Sequence, residues 1–296
     1  MLNFHPITLS DRPLLEPWCE RAAGHGSEYS FANLYFWGRQ SVCQAPDGTP
    51  LILSHFAPHT SYLYPYSAPE LLPLLRQDAA ERGIALRVFG LLPEEAAEVE
   101  RRWPGQYRFH SVRDSADYVY EIDRLADLHG KHLQAKRNHC NRFEEEFPDY
   151  RVEPLTPELL PACRAFTEQW YAAHTEGGNE SEFSGERTAI ARAFDGFEAL
   201  GMEGAALFTP DRLVAFTMGN RIRPTVFDVN FEKADATVNG AYAIINREFS
   251  RMLRARHPEL EQLNREDDMG IEGLRRAKES YAPDLLLDKL LLEAAQ

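Results

Sequence analysis

One order of elements runs through this chain twice, with almost no repetition of residues, and it limits the fold more than any single motif. In the first copy, Ser41 to Ala45, Leu51 to His55 and Ser61 to Tyr66 predict a three-strand meander. Pro46, Asp47 and Gly48 make its first turn, and β-branched and aromatic residues fill the strands. Pro69 to Arg82 predicts a helix with Leu71, Leu74 and Leu75 on one face and Gly83 at its end. A strand (Ile84 to Phe89), a helix (Pro93 to Arg102) and two strands (Tyr107 to Val112, Asp117 to Ile122) follow. The second copy repeats the order. Ala205 to Phe208, Leu213 to Met218 and Thr225 to Phe231 form a meander, and Glu232 to Asn239 a loop. A helix (Ala241 to Arg256), a strand (Leu260 to Leu263), a helix (Ile271 to Ser280) and the final strand or strands (Leu285 to Leu292) complete it.

Between the copies lie a basic helical segment, Gly130 to Glu146, and two amphipathic helices, Leu159 to Ala173 and Glu186 to Leu200. Gly178 to Glu182, between those helices, reads as a polar loop. The expected class is α/β with mixed sheets: two tandem domains, each a central mixed sheet flanked by helices. The division is placed at residues 1–125 and 126–296, a comfortable size for two cores. This is also the element order of the GNAT acyltransferase fold, with the active site expected in the second domain.

An apolar content of 44% supports real cores, and a net charge of −14 argues against nonspecific binding to nucleic acid or an anionic membrane by the whole surface. Cys19, Cys43, Cys140 and Cys163 are scattered without a CxxC pair or a zinc-spaced histidine cluster, so neither a disulfide framework nor a metal site is expected. The first residues lack a basic stretch followed by an apolar run, and no run approaches ~18 apolar residues. A cytoplasmic protein with neither DNA nor integral membrane contact is the expectation. The sequence sets no oligomeric state.

Chemistry concentrates in the second copy. Asn239, Gly240 and Tyr242 open an apolar-periodic helix whose unpaired N–H groups suit a phosphate or carbonyl oxygen. Gly240 would let a ligand approach the backbone closely, although a plain helix start accounts for it too. The acetyl-CoA loop of GNAT enzymes carries an Arg/Gln-x-x-Gly-x-Gly/Ala pattern. Here Thr237 and Tyr242 stand at its ends, which weakens ordinary CoA binding. Asp228, Glu232 and Lys233 are expected where the sheet splays. Downstream, Asn264 precedes three successive acids, Glu266, Asp267 and Asp268, which cannot all be buried and charged without partners. One of them, Asp268, also suits a helix cap. Arg275 and Lys278 are i,i+3 neighbours fit to clamp a phosphate or carboxylate.

The segments Phe231 to Ala234, Asn239 to Phe249 and Asn264 to Pro283, with Ser30 to Trp37 and Lys136 to Phe143, resemble a bacterial family grouped with the C-terminal catalytic domain of phosphatidylglycerol lysyltransferase. The resemblance spans nearly the whole chain. It implies a tandem GNAT fold shared with peptidoglycan-bridge aminoacyltransferases, which move an aminoacyl group from aminoacyl-tRNA to a lipid hydroxyl or a peptide amine.

Two further patches stand out. Lys136, Arg137, Asn138 and Asn141 belong to a stretch free of acids and read either as an anion site for tRNA or a nucleotide-bearing donor or as a linker helix neutralised by Glu144, Glu145 and Glu146. Arg247, Arg251 and Arg254 form a second cationic stripe. Phe31, Tyr35, Phe36 and Trp37, interleaved with Asn33 and Arg39, line a pocket or pack in a core. With no GxSxG elbow or nucleophilic cysteine signature, transfer is expected to be direct. Glu266, Asp267 or Asp268 takes a proton or orients an ammonium, N–H groups near Asn239 to Ala241 polarise the donor carbonyl, and Lys278 with Tyr281 contacts the donor. No cofactor is read from the motifs; the co-substrate is aminoacyl-tRNA or acyl-CoA. The rival readings are an acyl-CoA-dependent N-acetyltransferase and a non-catalytic two-domain protein that binds a charged, amino-acid-like metabolite.

Overall fold

In a computed structural model, residues 1–22, 24–56, 58–175 and 180–295 are described. The strands, in chain order, are His5–Pro6 (β1), Gln40–Gln44 (β2), Pro50–Phe56 (β3), His59–Leu63 (β4), Arg87–Leu91 (β5), Tyr107–Ser111 (β6) and Asp117–Glu121 (β7). They continue as Arg151–Pro154 (β8), Met202–Phe208 (β9), Leu213–Arg223 (β10), Val226–Ala234 (β11), Gln262–Asn264 (β12), Leu285–Leu287 (β13) and Leu290–Ala294 (β14). The α-helices are Arg12–Arg21 (α1), Phe31–Phe36 (α2), Leu72–Arg82 (α3), Pro93–Arg102 (α4) and Ile122–Asp127 (α5). Gln134–Glu146 (α6), Leu160–Thr175 (α7), Glu180–Asp195 (α8), Ala241–Arg256 (α9) and Glu272–Glu279 (α10) complete the set.

The chain divides into two units. One comprises Met1–Asp117, Asp267–Gly270 and Leu287–Gln296, the other Tyr118–Glu266 and Ile271–Leu286. The sequence division lay between residues 125 and 126. Each unit has a mixed sheet built in the expected order: an antiparallel meander, a helix, then a strand parallel to the last meander strand. A parallel neighbour needs a long crossover, and α3 and α9 supply it.

The first sheet runs β1-β2-β3-β4-β5-β14-β6 and the second β13-β7-β12-β11-β10-β9-β8. Two strands therefore change places relative to the sequence reading. The strand read as the last of the first copy, β7, pairs antiparallel with β12, and β14 lies between β5 and β6. Leu290 to Leu292 is apolar enough for either sheet; the choice follows from partners such as Arg87, which binds Glu293 across the strands. Two other boundaries move. Of the polar loop read at Gly178 to Glu182, residues 178 and 179 lie outside the described residues and 180–182 already belong to α8. The loop read from Glu232 to Asn239 begins only after Ala234, so Glu232 and Lys233 are strand residues.

In the first unit the core gathers Leu72, Leu75 and Ala79 of α3 with Leu51, Leu53, Val88 and Leu292 of the sheet. The aromatic patch is packed here. Ser30 caps α2 through the Asn33 N–H, Phe31, Asn33 and Phe36 are buried, and Arg39 lies over Phe56. A buried lysine, Lys289, meets Asp117 (2.6 Å) and Glu28 (2.5 Å). Burial, with the Asp117 charge added, pushes the Glu28 carboxyl up to about 7, against the pull of Lys289.

In the second unit Ile244, Ile245, Phe249 and Leu253 of α9 pack on Phe227, Val229 and Leu263. Each such side chain contributes about 2 kcal/mol when fully buried. The cationic stripe of α9 is structural. Arg247 binds Glu144 and Glu248, and Arg254 binds Asp123 and Asp127, with Arg251 on Glu248 and the Ala126 carbonyl. These contacts tie α5 and α6 to α9. All four cysteines are buried.

Candidate functional site

A bulge and an early parting of strands shape the site in the second unit. Met218 pairs with Phe231 and Asn220 with Asp228, so Val229 and Asn230 of β11 face only Gly219 of β10. Such a bulge shifts which side chains meet which face. Gly219 is required there, because a Cβ would lie 1.9 Å from the Asp228 carbonyl oxygen. On its other side β11 pairs with β12 only from Val226 to Asp228, opposite Gln262 to Asn264. Beyond Asp228 and Asn264 the two strands part. Glu232 then meets α9 through Asn246, while Lys233 meets α7 and α8.

Cations and carboxylates line this opening. Arg265 donates to Glu232 (Nη2 to Oε1, 2.9 Å), and its guanidinium stands 5.0 Å from the Tyr281 ring centre and 5.9 Å from that of Tyr120. Burial works against its charge, yet Glu232 and the two phenols outweigh it and hold its pKa above the usual value. Lys136 of α6 reaches the other cation's ring, with Nζ 4.1 Å from the Tyr281 centre. Burial and then the Arg265 charge lower its pKa. Burial likewise raises that of Tyr281.

Glu266 follows Arg265 in the chain. Its backbone is left-handed (φ 56°), a conformation that strains a side-chain-bearing residue, and the Asn264 side chain holds its N–H at 2.7 Å. Asn230 links two acids, donating to Glu266 Oε1 and Asp228 Oδ2 at 3.0 Å each. Two carboxylates joined by an amide can receive a proton or hold an ammonium.

The amino end of α9 lies on the Lys233 side. Gly240 has φ 87°, and the space a Cβ would fill is taken by the His139 carbonyl oxygen of α6, 2.5 Å away. That corrects the sequence argument: on this side the glycine admits a helix backbone, not a ligand. Asn239 Oδ1 accepts from His139 Nδ1 at 3.1 Å, and the Tyr242 hydroxyl accepts from Trp170 Nε1 at 3.2 Å. Lys233 is buried beneath Trp170, 3.7 Å from its ring, with Glu186 at 2.8 and 2.9 Å from Nζ. Burial lowers its pKa while Glu186 opposes the change.

The acid triplet does not act as one cluster. Glu266 belongs to the second unit, Asp267 and Asp268 to the first. Asp268 is fully buried, accepts from Arg113 (3.1 Å) and holds the Gly270 N–H (2.9 Å). It does not cap α10, which starts at Glu272 after Ile271. Asp267 acts on Lys289. The clamp read from Arg275 and Lys278 is not formed: Arg275 is half-buried, but Lys278 turns inward to the Arg265 carbonyl and the Tyr118 ring. The basic island divides as well. Arg137 binds the carbonyls of Leu128 and Gly130, Asn138 accepts from Gln134, and Asn141 is exposed. Only Lys136 faces the opening.

Sequence reasoning passed over Arg265, Asn230, Tyr120, Trp170 and Glu186. Arg265 sat between Asn264 and the acids, where the charge run drew attention away from it; the others are far apart in sequence and carry no local signal. Among the described residues no group of three or more His, Cys, Asp or Glu is placed to hold a metal ion. None of the described helices is long and apolar enough to cross a membrane.

Comparison with known proteins agrees with this architecture. A conserved protein of unknown function from Bacteroides thetaiotaomicron is 33% identical, covering 100% of both chains, with a TM-score of 0.89. The L-PGS of Bacillus licheniformis shares the fold at 16% identity, over 96% of this chain and 91% of that one, with a TM-score of 0.65. FemX shares it at 11% identity, over 98% and 97%, with a TM-score of 0.56. An uncharacterised protein of Mycoplasmoides gallisepticum is 24% identical over 207 residues, 68% of this chain, and the match spans 64% of that relative's length. Residues 20–292 match the family described as phosphatidylglycerol lysyltransferase, C-terminal. With its two GNAT-like sheets and this match over nearly its whole length, the chain belongs to the phosphatidylglycerol lysyltransferase C-terminal family.

Proposed function

We propose that the chain transfers an aminoacyl group from aminoacyl-tRNA to a lipid hydroxyl, a peptide amine or a smaller acceptor, at the opening between β11 and β12. Family and fold support a GNAT-like acyl or aminoacyltransferase. The observation that carries the finer reading is Glu266: a carboxylate on strained backbone, fastened by Asn264 and joined through Asn230 to Asp228. The acceptor N–H or O–H gives its proton to Glu266 as its nitrogen or oxygen bonds to the donor's carbonyl carbon. The ester bond to the tRNA 3′ oxygen then breaks, and that oxygen takes the proton back from Glu266. The test is to incubate the full chain with tRNAs charged with labelled amino acids, and with phosphatidylglycerol vesicles or peptide amines. Product should form in step with loss of charged tRNA, and Glu266→Gln should slow it ~100-fold or more. Product made from acetyl-CoA and none from any aminoacyl-tRNA would overturn the reading.

A further inference from the structure

Around the Tyr281 ring the charges do not balance. Two cations, Lys136 and Arg265, share the ring, at 4.1 and 5.0 Å from its centre. Glu232 is the carboxylate that acts on both, and it is bound to Arg265 at 2.9 Å. Two positive groups against one negative leave one positive charge in excess. The excess has an address. Arg265 Nη1 is buried and has no hydrogen-bond acceptor among the described residues, since Nη2 alone reaches Glu232. The Lys136 ammonium, half-buried, meets a ring face and no carboxylate among the described residues. A buried cation without a counter-charge is costly, and natural chains keep one where a ligand completes it.

We propose that Lys136 and Arg265, over Tyr281, bind a singly charged oxyanion, namely a phosphodiester of the donor's nucleotide end. The assignment of the anion to the donor rests on the aminoacyl-tRNA reading; the site itself does not. A phosphodiester carries the single negative charge that neutralises the excess, and its oxygens can take one hydrogen bond from Arg265 Nη1 and another from Lys136 Nζ. Glu232 stays on the far edge of the guanidinium, where it fixes the fork and repels a second anion. The basic island recognised in the sequence thus contributes one cation, and the loop after β12 contributes the other.

The test uses small probes by calorimetry on the full chain: the dinucleotide CpA, which carries one phosphodiester, an equimolar mixture of cytidine and adenosine, which carries none, and N-acetylglycine, a singly charged carboxylate. CpA should bind and weaken as salt rises, with the nucleoside mixture binding at least tenfold less well. Lys136→Met keeps the stem over the ring and should weaken CpA about tenfold, a charged hydrogen bond's worth, and Lys136→Arg should restore it. Equal binding of CpA and the nucleosides, or CpA binding unchanged in Lys136→Met, overturns the site. Binding of N-acetylglycine in preference to CpA overturns the phosphodiester assignment. The probes carry no aminoacyl group, so CpA binding without any transfer would reject the reaction and keep the site. Transfer undiminished by Lys136→Met would reject the site and keep the reaction.

Discussion

Glu186→Gln isolates a single buried charge. Lys233 is 5% exposed in its side chain, and Glu186, at 26%, places both carboxylate oxygens within 2.9 Å of the ammonium. At an effective dielectric of about 20, a pair this close is worth roughly 6 kcal/mol before desolvation. The partial exposure of Glu186 and the rings of Trp170 and Tyr171 reduce the loss to about 2–4 kcal/mol. The sign of the pH dependence follows from burial. Lys233 has a folded pKa below its unfolded value of 10.5. Stability linked to it is therefore present above the unfolded value and lost as pH falls through the folded one. Without Glu186 the folded value drops further, so the deficit should be larger at pH 6.5 than at pH 9.5. Urea titrations at pH 6.5, 8 and 9.5 can be followed through Trp170, the one tryptophan of the second unit. Replacing both partners, Glu186→Gln with Lys233→Met, should return most of the loss, since no charge is then left buried. A deficit under about 0.5 kcal/mol, equal at all three pH values, would refute the argument.

Other expectations are independent of this one. Gly240→Ala should destabilise the second unit by about 2–4 kcal/mol, because φ 87° disfavours a side chain and the His139 carbonyl stands 2.5 Å from the new Cβ; a denaturant midpoint measures it. Glu28, raised to about 7, contributes stability below its unfolded pKa that is lost as pH rises through about 7. Glu28→Gln should flatten that decline in the first unit between pH 5 and 8, by about 2 kcal/mol, as seen in thermal unfolding across pH. Asn264→Ala frees the Glu266 N–H and should lower kcat about tenfold with little change in KM, which steady-state kinetics of transfer would show.

Much of the architecture was legible because it rests on local chemistry. Gly83 ends α3 in the left-handed conformation at φ 70°, and the apolar period from Tyr242 to Leu253 marked α9. The candidate site was legible only in part. The segment from Asn264 to Tyr281 was singled out for its charges; Glu266 is joined through Asn230 to Asp228 and the Tyr281 ring carries Lys136 and Arg265, but the clamp read at Arg275 and Lys278 is not formed. A side chain's direction depends on what lies across from it. Lys278 had a backbone carbonyl to reach, and Arg137 had two.

The sequence by itself determined that strands and helices alternate twice in the same order, because turn residues, caps and apolar periods act within a few residues of one another. It also determined which stretches carry charge. Only the tertiary structure decided that β7 and β14 serve opposite sheets, since strand pairing links positions over a hundred residues apart and any apolar strand can satisfy it. The bulge opposite Gly219, the parting of β11 from β12 and the meeting of Lys136 with Arg265 belong to the same class. They follow from packing between distant segments, where hydrogen-bond register and buried charge are settled together.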